Sequence, residues 1–351
     1  MTLRTRPFTQ VDVFTAVPYK GNPLAVVLDG TGLSDDAMQR FAHWTNLSET
    51  TFVLPPTADG AAAGADYRVR IFTPGGELPF AGHPTLGTCH AWLAHGGQPR
   101  EAGVVRQECA VGVVALRQLA GGAIERADAN AGTGTGTSAN AGTHGRMAFA
   151  APPLTRHTPD APHLATVLAA LGLQPAQVLA AQSLNNGPEW LGLLLDGPDT
   201  VLALTPDHTA LKALNQKVGV AALARSGNSA DSKAAEGMLI ARSSREARAF
   251  NRKPVATASP VLTVSPHQAE PDLWVRAFAA PVGVAEDPVT GSLNASLAQW
   301  LMADGHLPDH YLATQGQALG RDGLVFLSRD ATGQVWVGGD VAACIHGTVS
   351  L

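Results

Sequence analysis

The stretch Glu286-Asp287-Pro288-Val289-Thr290-Gly291-Ser292 leads directly into a segment with helical periodicity. The apolar residues that recur there are Leu293, Leu297, Trp300 and Leu301. The first turn of a helix has unpaired backbone N–H groups and a partial positive charge, so it can bind a carboxylate. Asp287 and Ser292 flank this predicted helix start and are therefore candidate site residues.

A similar stretch occurs earlier in the chain. Phe80-Ala81-Gly82-His83-Pro84-Thr85-Leu86-Gly87 opens a second apolar segment that closes in Trp92-Leu93, and the first segment closes in Trp300-Leu301. Pro84 suits the first turn of a helix, and Gly96 predicts its end. Two glycine-started helices that both close in Trp-Leu predict a duplicated architecture with one polar site between the copies.

Bulk composition narrows the function classes. The chain has 351 residues, 45% of them hydrophobic and 15% charged, which is typical of a globular protein with room for two domains. A net charge of −5 without a basic cluster gives no reason to expect a nucleic-acid partner. No secretory signal and no run of about 20 apolar residues is visible, so we expect no membrane association. Three scattered cysteines without a Cys-x-x-Cys pair indicate a reducing compartment, and we expect a cytoplasmic protein.

The order of predicted elements is rich in strands, with a few helices in each half, which favours an α+β fold over regular βαβ repeats. Residues 121–145 are mostly Ala, Gly, Thr, Asn and Ser and predict a flexible linker, because they lack the lysine and spacing of a phosphate loop. We therefore divide the chain into halves at 1–120 and 146–351, leaving open whether the last strand returns to the first half. Residues 225–259 suggest an insertion loop, and residues 202–214 predict one helix.

Four polar residues are candidates for the chemistry: Glu49, His83, Asp287 and Ser292. Each has a purely structural alternative, as a surface charge, a helix cap, a turn residue and an N-cap. Two other types of site are disfavoured. Ser292 does not lie in a Gly-x-Ser-x-Gly motif, which argues against a serine hydrolase. The spacing of His83, His90 and His95 does not place them on one helical face, which argues against a metal site.

Motifs spread along the chain also carry a family resemblance. They are Asp12-Val13-Phe14-Thr15, Gly21-Asn22-Pro23-Leu24-Ala25-Val26-Val27, Asn46-Leu47-Ser48-Glu49-Thr50, Leu78-Pro79-Phe80-Ala81-Gly82-His83-Pro84-Thr85 and Glu286-Asp287-Pro288-Val289-Thr290-Gly291-Ser292. In this order they resemble the phenazine-biosynthesis isomerase (PhzF-like) family, which shares the fold of diaminopimelate epimerase. The resemblance implies two pseudo-symmetric domains, each a curved, mostly antiparallel sheet wrapped around a central helix. It spans the chain apart from residues 120–145 and 225–259.

The resemblance also implies roles for residues. Glu49, His83, Asp287 and Ser292 match the catalytic residues of the family. Gly82 and Gly291 stand where the epimerases of this fold have catalytic cysteines, so a two-thiol racemase mechanism is not available. Leu293 departs from the pattern, because a small residue is common at that position. The family works without a metal or organic cofactor and is usually dimeric, so we expect neither cofactor nor metal, and a homodimer.

These interpretations converge on one expectation. Backbone amides at Gly82-His83 and Gly291-Ser292 would bind the carboxylate of a small metabolite, and Glu49 would move a proton between its carbon atoms. Two alternatives stay open: a homologue that binds a small molecule without turning it over, and a serine hydrolase that uses Ser292.

Overall fold

The computed structural model describes residues 3–119, 146–224 and 270–351. The predicted linker at 121–145 and the predicted insertion loop at 225–259 lie outside the described residues. None of the described helices is long and apolar enough to cross a membrane.

The described strands and helices are numbered along the chain. The strands are β1 (Thr5–Val13), β2 (Asn22–Val27), β3 (Glu49–Leu54), β4 (Tyr67–Thr73), β5 (Gly76–Leu78), β6 (Val104–Cys109), β7 (Gly112–Gln118), β8 (Met147–Ala150), β9 (Thr155–His157), β10 (Val178–Asn185), β11 (Glu189–Leu195), β12 (Val218–Leu223), β13 (Leu273–Ala279), β14 (Val284–Asp287), β15 (His310–Gln315), β16 (Gly323–Arg329), β17 (Val335–Gly339) and β18 (Val341–Ser350). The α-helices are α1 (Asp35–Thr45), α2 (Ala58–Ala62), α3 (Gly82–Ala94), α4 (Ala161–Leu171), α5 (Pro198–Ala203), α6 (His208–Ala213) and α7 (Gly291–Ala303). Short 3-10 turns lie at Pro175–Gln177, Ala280–Val282 and Gln317–Leu319.

The strands form one large, mostly antiparallel sheet. In its first series, β1 and β2 are antiparallel, β2 and β3 parallel, and β3 and β4 antiparallel. β4 then pairs with β5, and in parallel with β6, and the series ends in the antiparallel run β6, β7 and β8. The fold is therefore mixed α and β and dominated by a sheet, in agreement with the predicted class at that level.

The second series, from β10 to β17, contains the same pairings in the same order. β8 and β17 pair with each other and join the two series. The strands that follow them cross over: β9 pairs with β10, and β18 pairs with β1. The last strand of the chain thus lies against the first one.

Two helices occupy the interior. α3 packs against β1, β2, β3 and β8, whereas α7 packs against β10, β16 and β17. Both helices are buried on nearly all sides, which is why their apolar residues do not form a single stripe. The smaller helices cover outer faces of the sheet, α1 on the first series and α4 to α6 on the second.

The single helix predicted over residues 202–214 is wrong. The chain forms two short helices there, Pro198–Ala203 and His208–Ala213. Pro206 disfavours the helical conformation of the residue before it. Asp207 then caps a new helix by accepting a hydrogen bond from the Ala210 N–H at 2.9 Å.

Candidate active site

Three of the four candidate side chains lie in one row. Glu49 is the first residue of β3, His83 lies in the first turn of α3, and Asp287 ends β14. His83 Nε2 is 3.4 Å from Glu49 Oε2. On the other side of the ring, His83 Nδ1 is 3.4 Å from Asn22 Nδ2, which donates to Asp287 Oδ1 at 2.8 Å. The row therefore runs from Glu49 through His83 and Asn22 to Asp287.

The starts of α3 and α7 touch each other beside this row. A Cβ added to Gly82 would lie 2.9 Å from Gly291 Cα, and a Cβ added to Gly291 would lie 2.9 Å from Gly82 Cα. Only glycine at both positions allows this approach. The N–H groups in the first turn of a helix have no partner within that helix, so the two starts present free donors and two partial positive charges to one place. This is the arrangement that binds a carboxylate or stabilises an oxyanion.

Burial shifts the protonation of the row. It raises the pKa of Glu49 well above its usual value, and the negative charge of Asp287 raises it further. Burial also raises the pKa of Asp287 to about 6, although hydrogen bonds from Thr290 and Asn22 favour its charged form and oppose that rise. Ionisation of Asp287 thus opposes ionisation of Glu49, as is expected for two largely buried carboxyl groups near each other.

His83 is neutral in this site. Burial lowers its pKa to about 3, and its hydrogen bond to the backbone of Pro23 opposes that shift without reversing it. The 3.4 Å contact with Glu49 has the distance of a salt bridge, but an imidazole with so low a pKa carries no charge at neutral pH. We therefore treat the contact as one between a neutral imidazole and a buried carboxyl group.

A hydrogen-bond network holds Asp287 in place. Thr290 Oγ1 donates to Asp287 Oδ2 at 2.6 Å, and Gln315 Nε2 donates to the backbone carbonyl of Asp287 at 3.0 Å. Gln315 Oε1 accepts from the Thr290 N–H at 3.1 Å and from Asn294 Nδ2 at 2.9 Å. The approach to α7 is therefore fixed by buried amides of α7 and β15.

Ser292 has different surroundings from the other three candidates. Its hydroxyl oxygen accepts a hydrogen bond from Trp190 Nε1 at 3.3 Å, and its backbone carbonyl accepts one from Asn186 Nδ2 at 3.0 Å. In the described part of the chain, His83 makes no hydrogen bond to the Ser292 hydroxyl. The Ser-His-Asp relay of a serine hydrolase is therefore not assembled here.

Other possible sites lie apart from this one. The described residues contain no group of three or more histidine, cysteine or carboxylate side chains that could hold a metal ion. A cavity of about 600 Å³ lies between the chain ends and α1, and none of the candidate residues lines it.

The structure adds site residues that the sequence analysis did not single out. Asn22, Thr290 and Gln315 contact Asp287, and Trp190 contacts Ser292. Asn22 and Thr290 lie within the motifs quoted for the resemblance, so the motifs themselves contained the signal. Trp190 lies outside them, and only the fold brings it to Ser292.

The chain is similar to known proteins both in sequence and in structure. The family model described as phenazine biosynthesis-like protein (PhzC-PhzF) matches residues 11–347. A Schizosaccharomyces pombe protein named antisense-enhancing sequence 1 is 30% identical over 353 residues, which is 97% of each chain. The trans-2,3-dihydro-3-hydroxyanthranilate isomerase of Pseudomonas aeruginosa is 36% identical over 207 residues, 58% of this chain and 62% of that protein.

Among solved structures, a Bacillus anthracis phenazine biosynthesis protein of the PhzF family is similar over 99% of this chain and 100% of that chain, with a TM-score of 0.70 and 20% identity. At that identity the similarity shows the fold. The family match over nearly the whole chain shows more: the chain belongs to the phenazine biosynthesis-like (PhzC-PhzF) family, and its enzyme class is that of an isomerase.

Proposed function

We propose that this isomerase moves a proton between two carbon atoms of a small carboxylated molecule, with Glu49 as the acid/base and without a cofactor. The observation that carries the proposal is the row of Glu49, His83 and Asp287 beside two helix starts in direct contact. A buried carboxyl group with a raised pKa is a stronger base than an exposed one once it is ionised. The site supplies such a group next to donors for an anion.

We further propose that the site lies in a cleft between two pseudo-symmetric halves. The two strand series have the same pairings in the same order, and each series packs around one buried helix. The pairing of β8 with β7 favours a first half that extends to Ala150 and takes up β18 at its edge. The second half then runs from β9 to β17.

The substrate class follows from the two helix starts. We propose that N–H groups of Gly82, His83, Gly291 and Ser292 bind the substrate carboxylate. Loss of a proton from a carbon conjugated to that carboxylate would place negative charge on its oxygens, where the partial positive charges of α3 and α7 stabilise it. The relative from P. aeruginosa acts, by its name, on trans-2,3-dihydro-3-hydroxyanthranilate, which carries a carboxylate, and that compound is the first substrate to test.

The proposed reaction balances without another reactant. Ionised Glu49 takes a proton from one carbon, so a C–H bond breaks and an O–H bond forms. The electron pair shifts along the conjugated system, and Glu49 returns the proton to a second carbon. His83 and Asp287 orient the substrate, and nothing is oxidised or reduced.

Replacement of Glu49 by Gln tests the proposal. Gln keeps the size and much of the hydrogen bonding but cannot take a proton, so turnover should fall by about 10²–10⁴-fold while substrate affinity stays close to normal. Glu77→Gln, in a surface ion pair with Arg70, is the matched control. Turnover is followed by absorbance and affinity by calorimetry, and product formed in heavy water is analysed for deuterium at the new C–H position.

An unimpaired Glu49→Gln enzyme would contradict the assignment of the base. Binding of the carboxylated compound without turnover by the wild-type protein, across a panel of related acids, would instead identify a non-catalytic binding homologue.

A further inference from the structure

Asn22 is the residue that connects the two helix starts. It opens β2, and its side chain is fully buried. Its amide nitrogen lies 2.8 Å from Asp287 Oδ1, 2.9 Å from the carbonyl oxygen of Val289 and 3.4 Å from His83 Nδ1. Two of these three neighbours belong to the approach to α7, and the third belongs to α3.

The side-chain amide has two hydrogens for three neighbours. The two short distances, to a carboxylate oxygen and a carbonyl oxygen, are hydrogen bonds that use both hydrogens. The reversed amide would place Asn22 Oδ1 against those same two acceptors, so the orientation is fixed by its partners. The contact at 3.4 Å therefore supplies no hydrogen to His83.

This count favours one tautomer of His83. Asn22 gives no hydrogen to Nδ1, and the nearby backbone of Pro23 favours a ring that donates a hydrogen, so the tautomer that fits is the one with its hydrogen on Nδ1. In a neutral ring, Nε2 is then unprotonated. It faces Glu49 Oε2 at 3.4 Å, and neither of these two buried atoms has another protein partner.

We propose that Asn22 is a positioning residue for the reaction. It holds the Asp287 carboxylate at the α7 side, and it leaves His83 with an Nε2 lone pair directed at Glu49. The proton that Glu49 carries between carbons can then rest in a bond from Glu49 Oε2 to His83 Nε2. This inference deepens the proposed function and rests on it for the role of Glu49.

The first test reads the tautomer without any turnover. Nitrogen-15 NMR of the wild-type protein, with His83 assigned by comparison with His83→Gln, should show a protonated Nδ1 and an unprotonated Nε2 at neutral pH. A protonated Nε2 would overturn the inference even if the enzyme were fully active. The expected tautomer together with unimpaired Glu49→Gln turnover would instead count against the proposed function alone.

The second test removes the amide. In Asn22→Ala, Asp287 loses a hydrogen bond that favours its charged form, so the titration of its carboxyl carbon, followed by carbon-13 NMR, should move to higher pH. The other ionisable groups facing this carboxyl are Glu49, Glu286 with its partner Arg276, and, through Asn22, His83. All of them are kept in the variant. Turnover should fall by about 10²-fold, mostly in kcat, because the reacting groups lose their alignment.

Gln299→Ala is the control for loss of a side-chain amide that makes a hydrogen bond to the backbone. Gln299 donates one hydrogen bond to the backbone of Pro152, away from the row, so its removal should leave both the Asp287 titration and kcat unchanged. An Asn22→Ala protein that folds, as judged by its melting curve, with an unshifted Asp287 titration would overturn the positioning role. If that variant does not fold, Asn22→Ser keeps one donor and should give a smaller shift in the same direction, and an unshifted titration there would also overturn it.

Discussion

The starts of α3 and α7 meet at the site with matched backbones and different neighbours. The third strand of each series begins beside a helix start, with Glu49 opposite Leu24 in the first series and Val218 opposite Leu191 in the second. Glu49 contacts His83, whereas Val218 is a fully buried apolar residue. Asn22 and Asp287 complete the polar row, whereas Ser292 has the indole N–H of Trp190 as its neighbour.

This difference assigns the two helix starts different roles, although the repeated fold would allow the same groups at both. Both helix starts offer donors for an anion, but Glu49, which we propose as the acid/base, lies on the α3 side, in contact with His83. We therefore expect a single carboxyl group to take and return the proton, from one face of the substrate.

The largest expected effect comes from the α3 side. His83→Ala removes the neighbour of Glu49 Oε2 and leaves a buried carboxyl group without a partner. We expect kcat to fall by about 10²-fold or more, which is typical for loss of a group that takes part in proton transfer. His157→Ala, on the exposed strand β9, is the control. Steady-state kinetics of the two variants test this prediction. A His83→Ala enzyme that is as active as the His157→Ala control would contradict a role for His83 in the reaction.

The pH dependence of turnover tests the polar row as a whole. If the charged form of Asp287 is the active one, kcat should fall about tenfold per pH unit below about 6, where Asp287 becomes protonated. Stability should change in the opposite direction. The folded protein binds this proton more tightly than the unfolded chain, so the contribution of Asp287 to the free energy of unfolding decreases as pH rises from 3.8 to about 6.

Asp287→Asn separates these two effects. It removes the titrating group, so the change near pH 6 should disappear both from the pH profile of kcat and from that of the free energy of unfolding. Steady-state kinetics and urea unfolding across pH 4–8 measure the two profiles. A wild-type kcat that stays constant down to pH 4 would contradict the requirement for a charged Asp287.

Much of this site could be predicted from local sequence. The glycine-started helices at Gly82 and Gly291 follow from apolar spacing and terminal signals, which depend on residues close in the chain. Contacts across long separations could not be predicted in this way. Asn22 and Asp287 are 265 residues apart, and only the pairing of the two strand series brings them together.

The packing around Leu293 could not be predicted from local sequence either. The sequence marks it only as larger than the residue common at that position. In the structure its side chain lies against Gly219 of β12, where a Cβ would be 2.2 Å from Leu293 Cδ1. The missing side chain at 219 makes room for the larger one at 293, and strand pairing, which sequence spacing does not give, decides that the two meet.

That fit gives the next prediction, on the α7 side. Gly219→Ala should lower the free energy of unfolding by about 1–3 kcal/mol, because Leu293 is fully buried and cannot move into solvent. In a Leu293→Ala background the same change should cost less, since the collision is gone. Urea unfolding of the four proteins in this cycle measures the coupling. Gly347→Ala, with open space around its added Cβ, is the control. Additive effects in the cycle would contradict the direct contact.

The smallest expected effect is that of Ser292→Ala. Its hydroxyl makes one hydrogen bond to Trp190 at 3.3 Å, and the backbone N–H that we assign to carboxylate binding is unchanged by the substitution. A single neutral hydrogen bond contributes about 0.5–1.5 kcal/mol, so kcat/KM should fall by roughly tenfold at most. A serine hydrolase would instead lose nearly all activity with its nucleophile and would be labelled at Ser292 by an acylating inhibitor. Kinetics of Ser292→Ala, with mass spectrometry of the inhibitor-treated wild-type protein, distinguish the two. A loss as large as that expected for His83→Ala would show that the α7 side takes part in the chemistry, and the division of tasks between the two helix starts would then be wrong.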